Sequence, residues 1–177
     1  MLDKSLFETL NKTLSSVKVE EISAENVFED LPEGYYLVEV ETAELTQAKS
    51  SGNPMAAFRF NVVENGMGTQ VDESGQVELV EIKSKGRKIF KNYVLSTEAQ
   101  VTRFISDMLK FEGDEPGEPL LPREAFTTAE VLEDALGALV GSRIYVQISV
   151  SVNDANEKSS WVNLLSWNRA KSLDLPM

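Results

Sequence analysis

The chain has 177 residues, 42% of them hydrophobic and 26% charged, which is enough to bury one core; its net charge is −12. It contains no cysteine and no histidine, so disulfides, thiolate nucleophiles, zinc–thiolate sites and the commonest general base are all excluded. An enzyme built from it is confined to carboxylate, lysine, serine or tyrosine chemistry, so binding is favoured over catalysis and no cofactor or metal is indicated.

The N-terminal stretch MLDKSLFETLNKTL carries Leu2, Leu6, Leu10 and Leu14 at four-residue spacing, the stripe of a short helix. Its interspersed charges do not suit a signal peptide, and with no apolar run long enough to span a bilayer a cytoplasmic protein is expected, with no membrane partner. Residues 1–33 read as a partly helical appendage, 34–170 as the domain proper, and 171–177 as a short tail. Alternation of Tyr36, Val38 and Val40 with Leu37, Glu39 and Glu41 predicts the first strand. A turn through Gly52, Asn53 and Pro54 leads to a second, in which Phe58, Phe60 and Val62 alternate with Ala57, Arg59 and Asn61. ENGMGTQVDESGQ, polar and glycine-rich, predicts a loop. VELVEI and KIFKNYVL follow as extended segments around KSKGR.

Two capping boxes, TEAQ at Thr97 and TTAE at Thr127, each announce a helix, with Gly141 ending the second. The three-proline stretch between them is a surface loop. In RIYVQISVSV, Ile144, Val146, Ile148, Val150 and Val152 share one face; Arg143, Tyr145, Gln147, Ser149 and Ser151 share the other, which is expected to be wet. WVNLLSW is the last strand, with Trp161 and Trp167 at the same parity; large aromatics are more often core than stacking surface, so at least one should pack. Strands, then helices between strands three and four, then two more strands, are the order of a mainly β, five-stranded antiparallel OB-like barrel.

Charge is distributed unevenly. Residues 1–34 hold eight acidic against three basic side chains and residues 112–134 eight against one, whereas Lys83, Lys85, Arg87, Lys88 and Lys91 fall within nine residues. Single strands are bound by cations along the backbone and by aromatic faces under the bases, and this segment interleaves its cations with Phe90 and Tyr93. The competing account is a solvated hairpin whose charges keep an edge soluble. The loop KSSGNP offers Lys49 and the backbone N–H groups around Ser50, Ser51 and Gly52 to phosphate, with Asn53 and Pro54 fixing the turn that delivers Arg59; a plain strand connection is an equal reading. Arg143 and Tyr145 on the wet face complete the candidate set.

EGYYLVEVETAELTQAKSSGNPMAAFRFNV followed by GRKIFKNYVLS resembles a family of bacteriophage single-stranded-DNA-binding proteins that pair a KSGNPM loop with a later GR.IF.N segment. The likeness rests on Lys49, Ser51, Gly52, Asn53, Pro54 and Met55 with Gly86, Arg87, Ile89, Phe90 and Asn92, over roughly residues 33–112. Ser50 is inserted between the lysine and the serine. The resemblance implies an OB-like fold, single-stranded DNA as partner, and a role alongside phage replication or recombination proteins. The C-terminal SLDLPM lacks the strongly acidic tail that some such proteins use for recruitment. A homo-oligomer is compatible with this reading.

Two rivals remain at this stage. Glu81 and Lys83, with Asp72 upstream, match the ExK half of a magnesium-dependent PD-(D/E)xK nuclease, although the Pro-Asp and the parallel αβ core are missing. An acidic chain can also imitate DNA and occupy a nucleic-acid site on another protein.

Overall fold

The computed structural model describes residues 4–16 and 31–176. The chain divides into two compact units, Met1–Leu31 and Pro32–Met177. The first contains helix α1 (Lys4–Ser16), whose Leu6, Phe7, Leu10 and Leu14 are exposed. Leu2 and residues 17–30 of the expected appendage lie outside the described residues. Among the described residues no helix is long and apolar enough to cross a membrane.

The second unit is mainly β. Its strands are β1 (Gly34–Gln47), β2 (Pro54–Val62), β3 (Gly66–Val71), β4 (Val77–Ile82), β5 (Lys88–Val94), β6 (Arg143–Val152) and β7 (Lys158–Leu165). Helices α2 (Glu98–Met108) and α3 (Ala129–Leu139) stand between β5 and β6, and α4 (Trp167–Ser172) follows β7. All seven strands form one antiparallel sheet in the order β4-β3-β1-β2-β5, with β6 also pairing β1 and β7 pairing β6. The mainly β architecture is as expected, but the sheet is open and has seven strands where a five-stranded barrel was expected.

The additional hairpin, β3–β4, comes from the stretch read as a loop. Glycine there marks close approach rather than a turn: a Cβ on Gly66 would lie 2.4 Å from the Tyr36 ring, and one on Gly68 3.1 Å from Ile82 Cδ1. Tyr36 is fully buried, its hydroxyl donates to the Pro32 carbonyl at 2.5 Å, and burial pushes its pKa up to about 12. The ring thus occupies the space that a side chain at position 66 would need.

The inner face of the sheet buries Val38, Val40, Phe58, Phe60, Val62, Ile89, Ile144, Val146 and Leu164. Phe104 and Met108 of α2 and Leu136 and Leu139 of α3 are buried as well, α2 packing on β5 and α3 on β1. Thr97 caps α2 with the full capping box; α3 is capped one residue later than expected, by Thr128, whose hydroxyl accepts from Val131 N.

The face of β6 expected to be wet is partly covered. Tyr145 is only 4% exposed and shares a second apolar cluster with Leu165, Ala170 and Leu175, flanked by Tyr35, Leu37, Met67, Trp167 and Leu173. Period-two alternation identifies which residues share a face, but not what returns to cover it. Here α4 and the residues after it do so: Trp167 meets Tyr145 edge-on at 5.9 Å, and the Tyr145 hydroxyl donates to the Pro176 carbonyl. The residues expected to form a tail thus begin inside α4, and Leu175 is buried.

Candidate nucleic-acid interface

β2 and β5 pair with Arg59 opposite Phe90 and Asn61 opposite Lys88, and alternation sends all four side chains to the outer face. Phe90 is 65% exposed there. Register across β1 and β6 adds Glu39, Arg143 and Gln147 to that face, and across β7 it adds Trp161, opposite Ser149 and 52% exposed. Phe90 and Trp161 are thus large aromatic surfaces open to solvent on strands otherwise lined by polar groups. Of the two tryptophans expected to include at least one core residue, each takes a different place. Trp167 proves to start α4 and to pack, whereas Trp161 remains on the sheet.

The cations are largely engaged. A register shift between Val40 and Thr42 accompanies a three-way contact: Glu41 accepts from Arg59 Nε at 2.5 Å and from Lys88 Nζ at 2.6 Å. Lys88, then Arg59, hold the Glu41 carboxyl below its ordinary range. Lys88 also donates to Asn61 Oδ1, and Arg143 donates to Glu39 at 3.2 Å. Such exposed pairs are worth about 0–1 kcal/mol, so an incoming phosphate can share these cations at small cost.

The basic turn is pinned to the end of β2. The Gly86 N–H donates to the Val62 carbonyl and the Val62 N–H to the Arg87 carbonyl, while buried Ser84 accepts from Gly66 N and the Asn65 side chain accepts from Ser84 N and Lys85 N. Lys83, Lys85 and Arg87 are exposed. The loop carrying Lys49 and Ser51 lies at the opposite end of β2, about 27 Å away given a rise of roughly 3.4 Å per residue across its 9 residues. These two groups are therefore the ends of one strip and do not form a single site. Lys49 and Ser51 are exposed and Asn53 half-buried, but the Gly52 N–H expected to meet phosphate is spent on the Ala48 carbonyl. Gly52 itself has φ +74°, which closes the turn.

Two expected aromatic members leave the interface. Tyr93 is 9% exposed, edge-on to Phe58 and Phe104, with its hydroxyl donating to Asp107 at 2.7 Å. It lies on the inner face because it alternates with Phe90 and Asn92, and burial with Asp107 beside it pushes its phenol well above the ordinary range. Tyr145 is covered by α4, as described, and burial raises its pKa too. Neither ring offers a face to a base.

Lys91 is half-buried and donates to the Val162 carbonyl of β7 at 2.5 Å; burial pushes its pKa below the lysine range, against the pull of Asp107. Lys110 likewise donates to the Leu164 carbonyl at 2.9 Å while paired with Asp107 at 2.7 Å. Two lysine side chains therefore link β7 to β5 and to the end of α2, where no backbone ladder joins β5 to β7. Beside this seam, β5, α2 and Asn163 of β7 line an open cleft of about 580 Å³.

The ExK constellation is not assembled. Asp72 Oδ1 accepts from Ser74 N, Ser74 Oγ and Gln76 N, closing the β3–β4 turn, and the Ser74 hydroxyl, then Gln76 N, hold its pKa down. Glu81 stands near the other end of β4, opposite Met67. Among the described residues no three acidic side chains are grouped to hold a metal ion.

A family model described as "Protein of unknown function (DUF669)" matches residues 15–112, which span β1 through α2. The chain belongs to this family. No curated protein matches it.

Proposed function

We propose that the chain is a non-enzymatic, sequence-tolerant single-stranded-DNA-binding protein, acting in phage replication or recombination. The observation that carries the proposal is Phe90, exposed on the outer face between Arg59 and Lys88, on a strip with basic side chains at both ends. Bases stack on Phe90 and Trp161 while Lys49, Arg59, Lys88 and the turn bearing Lys83, Lys85 and Arg87 neutralise phosphates, which is the division of labour that single-strand binding requires. The order β7-β6-β1-β2-β5 also supports an OB-like reading: it is the order of a partly open Greek-key barrel, with β3–β4 as an excursion before its third strand and α2 and α3 before its fourth. The phage setting rests on the resemblance of the KSSGNPM and GRKIFKN segments.

Fluorescence anisotropy with single-stranded and duplex oligonucleotides, with and without magnesium, tests the reading. The single strand should bind uncleaved in both conditions and more tightly than the duplex. Phe90→Ala and Trp161→Ala should each weaken binding by about 1–3 kcal/mol, the worth of one stacked base. Magnesium-dependent cleavage, or no binding to either form, overturns the proposal.

A further inference from the structure

We infer that the cleft between β5, α2 and β7 is a purine subsite on the single-strand path, so that binding tolerates any sequence along the sheet yet is selective at one nucleotide. This rests on the single-strand reading above and adds a specificity to it. The cleft, about 580 Å³, lies within the roughly 300–1,000 Å³ typical of small-molecule sites. Its position follows from the register: Asn92 is two residues beyond Phe90 on the same face of β5, and Asn163 two beyond Trp161 on the same face of β7. The link from Lys91 to the Val162 carbonyl ties the two strands at the intervening residues. A base stepping off either exposed aromatic therefore meets the cleft next.

The walls divide into spent and unspent groups. Asp107 is committed to the Tyr93 hydroxyl and the Lys110 ammonium, and the Gln100 side-chain oxygen to Ser96 and Thr97. Asn92, Arg103, Ser106 and Asn163, by contrast, line the cleft, are exposed, and have no side-chain partner among the described residues. Two amides on opposite walls present a donor and an acceptor each, and Arg103 a planar fork of donors. These are the groups that read purines: the amide pairs with N6 and N7 of adenine, the guanidinium with O6 and N7 of guanine. Pyrimidines lack N7 and so lack that pair; an amide can meet them only through the Watson–Crick edge, N3 and N4 of cytosine or N3 and O4 of thymine, and the dC and unsubstituted strands measure that contribution.

The test uses the full chain and oligo(dT) of about twelve nucleotides, within the roughly 4–16 expected for such a site, carrying one central dA, dG, dC or no substitution. The purine-containing strands should bind roughly tenfold tighter, the discrimination expected of one good bidentate contact. The Asn92→Ala/Asn163→Ala double variant should bring the dA strand to the wild-type affinity for oligo(dT), and Arg103→Gln should do the same for the dG strand while leaving most of the adenine preference in place. Equal binding of all four strands by the wild type, tighter binding of the dC strand, an adenine preference that survives the double variant, or a guanine preference that survives Arg103→Gln overturns the subsite alone. No binding of any strand overturns the single-strand reading, and the subsite with it.

Discussion

Phe90 and Tyr93 stand three residues apart and face opposite ways. Cations and aromatics interleave in KIFKNYV, but a strand shows only alternate residues to one side, so Phe90 is outward and Tyr93 inward. Tyr93 therefore belongs to the stability of the fold. Its ring sits edge-on to Phe58 at 5.7 Å and to Phe104 at 5.2 Å, and its hydroxyl satisfies one side of Asp107. Removing it leaves a cavity between β5 and α2 and strips a partner from a mostly buried carboxylate. Tyr93→Ala should cost about 3–5 kcal/mol, the range for a large buried aromatic, while Phe90→Ala should stay within about 0.5 kcal/mol. Urea unfolding of the two variants decides the point; equal midpoints would contradict the placement of Tyr93 in the core.

The strands that were legible are those with strict alternation and local turn signals: β1, β2 and β6 follow their apolar periodicity, and α2 begins at the threonine of its capping box. β3 was not legible, because Gly66 and Gly68 give no alternating pattern and each is ordinarily a sign of a turn. What they provide is room for Tyr36 and Ile82, residues remote in sequence. The cover over Tyr145 was hidden for the same reason, as was the bond from Lys91 to Val162, which spans 71 positions. Part of the candidate site was legible as residue types, while its assembly into a strip, a seam and a cleft depends on contacts that no local window contains. Gly66→Ala measures this directly. Its methyl would have to displace the fully buried Tyr36 ring, so stability should fall by about 1–3 kcal/mol, the usual cost of overpacking. Gly75→Ala is not an equivalent control, since Gly75 has φ +84°, whereas Gly137→Ala is: Gly137 lies in α3 with open space around it, and the change should be neutral or stabilising. A Gly66→Ala variant melting with the wild type would mean that the ring is not held where it is described.

At the scale of the whole molecule, a net charge of −12 must be reconciled with a polyanionic partner. The field of the protein repels DNA at long range, so attraction has to come from cations close to the path and is felt within about 10 Å at ordinary salt. Glu41 sits among those cations and holds both Arg59 and Lys88. Glu41→Gln removes a like charge from the path and releases two side chains. Their loss of pre-positioning is the opposing effect, but exposed pairs of this kind are worth only about 0–1 kcal/mol, so the gain in phosphate contact should prevail. Affinity should rise, and the slope of log affinity against log salt should steepen by about 0.7–1.4, since each added single-strand phosphate contact contributes about −0.7. Glu133→Gln, an exposed position on α3 away from the sheet's outer face, changes the net charge by the same amount. If the two variants shift affinity and slope equally, the overall field governs association and the grip of Glu41 on its two cations does not. If only Glu41→Gln steepens the slope, the outer face of β1, β2 and β5 carries the phosphates.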